Sequence, residues 1–123
     1  MNREIKFRIW SFNEKQFHYF DVLEGFSGHY GAWSEPQQFA GLKDKAGKEI
    51  YEGDIIKYSE HKGYTLSDFI AEVVFDEGKA CFGFREYILI NSFSEFHEIE
   101  CDFLPYTEVI GNVFENPEMA HSV

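Results

Sequence analysis

The sequence has few of the residues that crosslink or anchor a protein: two cysteines, three prolines and no apolar run near the roughly 20 residues that a membrane-spanning helix needs. Cys81 and Cys101 lack paired spacing, so we expect reduced thiols and no disulfide scaffold. In the opening residues, MNREIKFRIW, charged side chains alternate with bulky apolar ones, which is not typical of a secretory signal. We therefore expect a cytoplasmic protein with a single domain over residues 1–123.

Basic residues are scarce in the second half of the chain. The formal net charge is −11, and the residues after Lys57 contribute −10, with 13 acids and 3 bases. Because nucleic-acid binding depends on cations that displace phosphate counterions, this composition argues against general binding. The nearest basic patch is interleaved with acids, which indicates a solvated turn: Lys43, Lys45 and Lys48 with Asp44, Glu49 and Glu52. Two alternatives remain: an acidic mimic that binds a basic protein, and nucleic-acid binding through the N-terminal half.

The sequence also lacks recognisable catalytic motifs. No glycine loop matches a phosphate cradle, no serine lies in a nucleophile elbow, and the histidines are scattered singly. Asp54 follows a glycine at a predicted strand start, where aspartate commonly accepts backbone N–H groups. His97, Glu100 and Cys101 resemble part of a metal site without a complete ligand set. We therefore predict no enzyme, no metal and no cofactor; a hydrolase would require a polar cleft of carboxylates.

Aromatic residues are abundant, with 14 Phe, 7 Tyr and 2 Trp. Aromatic side chains fit the pleated, half-buried surface of a sheet, so this composition favours β-strands. A surplus of rings beyond one small core is usually buried against another subunit or a partner. We therefore predict a homo-oligomer.

Alternating residues and turn signals predict a series of antiparallel strands. REIKFRIWSF and the strand from Phe17 to Val22 or Leu23 form a hairpin around Asn13. FIAEVVF and ACFGFREYILI form a second hairpin, whose Gly78 is suited to a positive φ. Helical spacing and a capping pattern favour a short helix over Ser92–Glu100, and a strand over the same residues is the alternative. The final strand, YTEVIGNVF, is expected to contain a bulge at Gly111.

The stretch between Gly25 and Pro36 has no regular period and reads as a loop. Loops often carry function, so its aromatic and histidine side chains form a candidate binding surface: Phe26, His29, Tyr30 and Trp33. The alternative is that these rings fold back onto the core.

Three segments, REIKFRIW, FAGLKDKAGKEIYEGDII and EVIGNVFENPEM, together resemble the YopX-type proteins of bacteriophages and prophages. The match runs in order along most of the chain. The resemblance implies a phage-encoded protein of the bacterial host cytoplasm, and it brings no known activity, catalytic residue or cofactor. A host or phage protein is the kind of partner that it suggests.

The shared residues have a structural interpretation as turns, bulges, strand positions and a helix cap: Gly41, Leu42, Asp44, Gly47, Gly53, Asp54, Gly111, Asn112, Asn116 and Pro117. A strand opened by glycine and aspartate and followed by a long hairpin is common in small SH3-like barrels. We predict a mainly β fold with a barrel-like, SH3-like core of antiparallel strands and one or two short helices. The predicted function is non-enzymatic binding by a homo-oligomeric accessory protein.

Overall fold

The computed structural model describes residues 4–26, 31–59, 69–86, 96–98 and 101–118. Within these ranges the chain is mainly β, which confirms the predicted fold class. The strands are β1 (Lys6–Ser11), β2 (Gln16–Asp21), β3 (Gln37–Lys43), β4 (Glu49–Tyr51), β5 (Asp54–Tyr58), β6 (Phe69–Asp76), β7 (Cys81–Glu86), β8 (Phe96–Glu98) and β9 (Thr107–Asn112). A 3₁₀ helix spans Cys101–Tyr106. No helix in the described ranges is long and apolar enough to cross a membrane.

The strands form two antiparallel sheets, ordered β2–β1–β3–β4 and β8–β7–β6–β5–β9. The first sheet contains the N-terminal hairpin, and the second contains the long β6–β7 hairpin flanked by β5 and β9. Among the described strands no ladder joins the two edges of either sheet, so the predicted barrel-like core is open and not a closed barrel.

Both predicted hairpins are confirmed. β1 pairs with β2 from Lys6 opposite Asp21 to Ser11 opposite Gln16, and β6 pairs with β7 along six residues of each strand. In the second hairpin the positive φ falls on Ala80, at 54°, and not on Gly78, so that prediction is wrong. The reason is the loop geometry: after a turn, the last loop residue completes the chain reversal just before the strand begins.

The segment after β7 departs from the prediction. Phe96–Glu98 is a strand paired with β7, and not part of a helix over Ser92–Glu100, whose other residues lie outside the described ranges. The β7 edge offers backbone hydrogen bonds that a local helical pattern cannot anticipate. Farther along, a helical turn begins at Pro117, directly after Asn116, as predicted.

The main core lies between β4 and the second sheet. Its buried side chains are Ile50, Ile56, Tyr58, Ala71, Val73 and Phe84, and Ala40, Leu42, Leu104, Tyr106 and Val109 pack against it. The β5–β9 ladder shifts register where Ile55 faces Gly111 and Ile56 faces Val109. This irregularity is the bulge predicted at Gly111.

Candidate functional site

Arg8 lies on β1 and is buried, with 4% of its surface exposed. Its Nη2 donates to Asp54 Oδ1 at 2.8 Å and to the Glu52 carbonyl oxygen at 3.0 Å. Its Nε donates to Gln37 Oε1 at 2.8 Å. The guanidinium therefore joins the first sheet to the turn that leads into the second.

Two aromatic rings flank this guanidinium. The Arg8 Cζ atom lies 4.1 Å from the Phe17 ring centroid and 4.9 Å from the Tyr51 ring centroid. Both distances are within the range in which an aromatic face attracts a cation. The charge is therefore neutralised and enclosed, and the alternating pattern of the first predicted strand gave no signal of this.

Asp54 combines this ion pair with a turn contact. Its Oδ2 accepts the Tyr51 backbone N–H at 2.8 Å, and the residue is 2% exposed. Burial raises the pKa of the Asp54 carboxyl, while the Arg8 guanidinium opposes that rise. Because both carboxyl oxygens already accept hydrogen bonds, Asp54 is arranged as a structural acceptor.

Asp44 holds the β3–β4 turn and attaches it to β9. Its Oδ1 accepts the backbone N–H groups of Ala46 and Lys48, each at 2.9 Å. Its Oδ2 accepts the Val109 N–H, also at 2.9 Å. One buried carboxylate therefore accepts hydrogen bonds from residues that are far apart in the chain. Lys43, Lys45 and Lys48, around the same turn, are exposed.

The remaining shared residues also hold backbone geometry. Asn112 Oδ1 accepts the Phe114 and Glu115 N–H groups at 3.0 and 2.8 Å, and Asn116 Oδ1 accepts the Asn112 N–H at 3.2 Å. A Cβ on Gly111 would lie 2.5 Å from Asn116 Oδ1, so the approach is too close for a side chain. Unlike Gly111, the other shared glycines have positive φ: Gly41, Gly47 and Gly53.

Lys6, Glu49 and Tyr51 form a partly exposed polar cluster beside Arg8. The Lys6 ammonium pairs with Glu49 Oε2 and Glu4 Oε2, and it lies 4.7 Å from the Phe39 ring centroid. The pKa of Lys6 is raised by its bond to Glu49. Burial raises the pKa of Tyr51 to about 12, and the Glu49 charge adds to the rise.

Of the predicted aromatic binding surface, the structure describes Phe26 and Trp33. Their ring centroids are 4.8 Å apart in an edge-to-face contact. Phe26 also contacts Phe20, and Trp33 contacts His18. Both residues are half-buried, and their rings pack against the β1–β2 hairpin. His29 and Tyr30 lie outside the described residues.

Trp33 also lines a surface groove of about 490 Å³. We call it the aromatic–acidic groove, and it is lined by Phe12, Trp33, Ser34, Glu35, Pro36, Gln37, Glu52 and Phe114. Sequence reasoning identified only Trp33 of this set as a binding residue. Ser34–Gln37 directly follow Trp33, whereas Phe12, Glu52 and Phe114 come from three other segments that no local pattern brings together.

A second exposed feature is the apolar tip, formed by Ile5, Val22 and Leu23. These residues line a cavity of about 310 Å³ together with Glu4, Lys6 and Asp21. Leu23 is 92% exposed and Val22 is also largely exposed. The aromatic composition gave no indication of this aliphatic surface.

Within the described residues, no group of three or more His, Cys, Asp or Glu side chains is placed to hold a metal ion. Cys81 is a half-buried free thiol. The side chains of His97, Glu100 and Cys101 lie outside the described part of the structure, so that candidate site has no geometry to assess.

Comparison with known proteins places these observations in a family. A comparison with curated proteins gives no match. Among solved structures, the chain is similar to the crystal structure of protein EF1440 from Enterococcus faecalis, with a TM-score of 0.59 and 26% sequence identity over 94% of this chain and 97% of that chain. The model of the YopX protein family matches residues 30–120, which include the shared glycines, Asp44, Asp54 and the Asn112–Asn116 segment. Because that match covers most of the sequence, the chain belongs to the YopX family.

Proposed function

We propose that the protein is a non-enzymatic binding module that works as a homo-oligomer in the bacterial cytoplasm, encoded by a phage or prophage. The observation that carries the oligomer is the apolar tip. Leu23 is 92% exposed, and it adjoins Val22 and Ile5 on the same surface. Adjacent exposed aliphatic side chains are typical of a contact surface.

The tip is held in a defined conformation. Asp21 Oδ1 accepts the backbone N–H groups of Leu23 and Glu24 at 2.9 and 2.7 Å. The Gly25 N–H donates to the Asp21 carbonyl oxygen at 3.0 Å. Because these bonds fix the turn, Leu23 is presented outward by an ordered backbone, which reduces the entropy lost when it is buried.

The edge of β2, next to the apolar tip, favours a second copy of the chain as the partner. β2 is the edge strand of its sheet, and its outer side meets no other described strand. Such an edge is a template for pairing, and a twofold axis would let two β2 edges pair with each other. The tip would then add apolar burial, which opposes the repulsion between two chains that each carry a net charge of −11.

The non-enzymatic part of the proposal is supported by the use of the buried polar groups. Arg8, Asp44, Asp54 and Asn112 all bond to backbone or to each other in ways that fix turns and sheet contacts. Groups committed in this way are poorly suited to proton transfer. Nucleic-acid binding through the N-terminal half receives less support, because Arg8 is buried and Lys6 is paired with two carboxylates.

Light scattering coupled to gel filtration tests the proposal at micromolar concentration. We expect the wild-type protein to exceed the mass of one 14.4 kDa chain and the Leu23→Glu variant to elute as a monomer. Ile70→Glu is the control, since Ile70 is an exposed aliphatic residue on β6, away from the tip. A strictly monomeric wild type would reject the homo-oligomer, and a Leu23→Glu variant that keeps the wild-type mass would reject the apolar tip as its contact surface.

A further inference from the structure

The aromatic–acidic groove has an ordered wall. The Phe12 N–H donates to the Ala32 carbonyl oxygen at 2.9 Å, and the Ser34 N–H donates to the Trp10 carbonyl oxygen at 3.0 Å. Ser34 Oγ accepts the Trp10 N–H at 2.9 Å. These bonds attach the loop to the end of β1, so the groove is preformed and needs little ordering on binding.

Aromatic rings form the apolar surface of the groove. Phe12 is 47% exposed, and its ring contacts the Phe114 ring edge-to-face with centroids 5.8 Å apart. Phe114 in turn stacks on buried Trp10, with centroids 5.6 Å apart. Trp33 and Pro36 complete this surface. The exposed ring of Phe12 is therefore supported by the half-buried Phe114 ring, which is held against the buried Trp10.

The charge of the groove has one sign. Glu35 is exposed and Glu52 is half-buried at its rim. Among the described residues that line it there is no lysine, arginine or histidine. Arg8 donates to the Gln37 side chain and to the Glu52 carbonyl oxygen, but its charge is paired with Asp54. Glu52 Oε1 accepts the Gln38 N–H at 2.9 Å, so the exposed Glu35 carboxylate is the main attraction for a cationic ligand, on a chain whose net charge is −11.

We propose that the aromatic–acidic groove binds an extended, proline-rich segment of another protein that carries arginine or lysine. Proline rings pack on aromatic faces, and the polyproline conformation is already extended, so it loses little entropy in an open groove. The cationic side chains would pair with Glu35 and Glu52 and stack on the Phe12 or Trp33 ring. The inference goes beyond the oligomer proposed above and uses a different surface, so either can fail without the other.

Fluorescence anisotropy with a labelled peptide of about 12 residues, alternating proline with arginine, tests this inference. We expect saturable binding that weakens as salt is added. Glu35→Lys and Phe12→Ala should each weaken binding about tenfold, which corresponds to about 1.4 kcal/mol. The matched controls are Glu108→Lys, at an exposed position on β9, and Phe75→Ala, whose residue is 44% exposed on β6. Both controls should bind as the wild type does.

Two control peptides and one further measurement complete the test. Replacing every arginine by glutamine, or every proline by alanine, should reduce binding at least as much as the groove variants do. Equal binding of either control peptide, or no effect of Glu35→Lys, would overturn the inference. Because Glu35 is exposed, Glu35→Lys should fold normally, so this variant alone tests the inference if Phe12→Ala fails to fold. The mass of Glu35→Lys by light scattering should equal that of the wild type, which separates this result from the oligomer.

Discussion

Arg8 and Asp54 form a buried ion pair, with 2.8 Å between Nη2 and Oδ1, that ties β1 of the first sheet to the opening residue of β5 in the second. The pair is enclosed by the Phe17 and Tyr51 rings, and the remaining Arg8 donor contacts go to Gln37 and the Glu52 carbonyl oxygen. Replacing one partner of such a pair leaves an uncompensated buried charge. The contact therefore makes the stability of each sheet depend on the other.

Arg8→Met is expected to lower the free energy of unfolding by about 3–5 kcal/mol, because Asp54 would lose its counterion while remaining buried. Urea denaturation followed by tryptophan fluorescence measures the change. Lys57→Met is the matched control, since Lys57 is an exposed cation on β5, and it should alter stability by no more than about 0.5 kcal/mol. A loss below about 1 kcal/mol for Arg8→Met would show that the pair does not hold the sheets together.

Asp44→Ala is expected to destabilise the protein by about 2–4 kcal/mol, because three backbone N–H groups lose their acceptor. The Val109 amide should lose most of its protection in hydrogen exchange, because its hydrogen bond to Asp44 joins β9 to the β3–β4 turn. Asp76→Ala is the comparison, because among the described residues Asp76 accepts one backbone N–H, from Lys79 in the β6–β7 turn, and otherwise makes a partly exposed ion pair with Arg85. It should cost about 1 kcal/mol and leave Val109 protected.

The hairpins and turns were predictable because their signals are local. Alternating side chains and turn residues locate β1, β2, β6 and β7, and the Gly53–Asp54 pair marks the start of β5. The helix expected around Phe96 failed because the β7 edge, which supplies its hydrogen bonds, is not visible in the local spacing.

The contacts that define the candidate surfaces were not predictable, because they join distant segments. Arg8 meets Asp54 across 46 positions, so its alternation with Lys6 and Trp10 indicated only a strand face. The aromatic–acidic groove depends on the placement of Phe114 beside Phe12, which no spacing rule encodes. The aromatic surplus was interpreted as oligomer surface, yet many of the rings stack on one another within the chain, as Trp10 does on Phe114.

Gly53→Ala is expected to cost about 1–2 kcal/mol more than Gly47→Ala. Both glycines have nearly the same φ, 82° and 84°, so alanine meets the same backbone strain at either position. A Cβ at Gly47 has nothing within 4 Å, whereas one at Gly53 would collide with the Gln37 amide. Displacing Gln37 also removes the acceptor of the Arg8 Nε bond. Chemical denaturation of the two variants gives the difference, and equal losses would contradict the close approach.

Alkaline pH is expected to destabilise the protein through Tyr51 and Lys6. Tyr51 is 4% exposed, and burial keeps its folded-state pKa near 12, above the ordinary value of 10.0. Between these values the unfolded chain releases the Tyr51 proton and the folded chain retains it, so stability falls as pH rises. The raised Lys6 pKa acts in the same direction, since the Lys6 ammonium is stabilised by Glu49 and its contribution is lost as pH passes the folded-state value.

Tyr51→Phe should therefore flatten the decline of unfolding free energy between pH 10 and pH 11.5, retaining about 2 kcal/mol that the wild type loses. Near pH 8 the two proteins should differ little, because the Tyr51 hydroxyl makes only a 3.5 Å contact with Glu49 Oε1. Absorbance at the tyrosinate band during the same titration should lose a late-titrating component in the variant. Tyr19→Phe is the comparison, since it removes a hydroxyl from an exposed ring on β2 that packs edge-to-face on Tyr51 with centroids 5.7 Å apart. It should leave most of the alkaline decline in place, because burial is the largest cause of the raised Tyr51 pKa and the Tyr19 charge is a smaller one. A parallel decline in Tyr51→Phe and the wild type would assign the alkaline sensitivity to other groups.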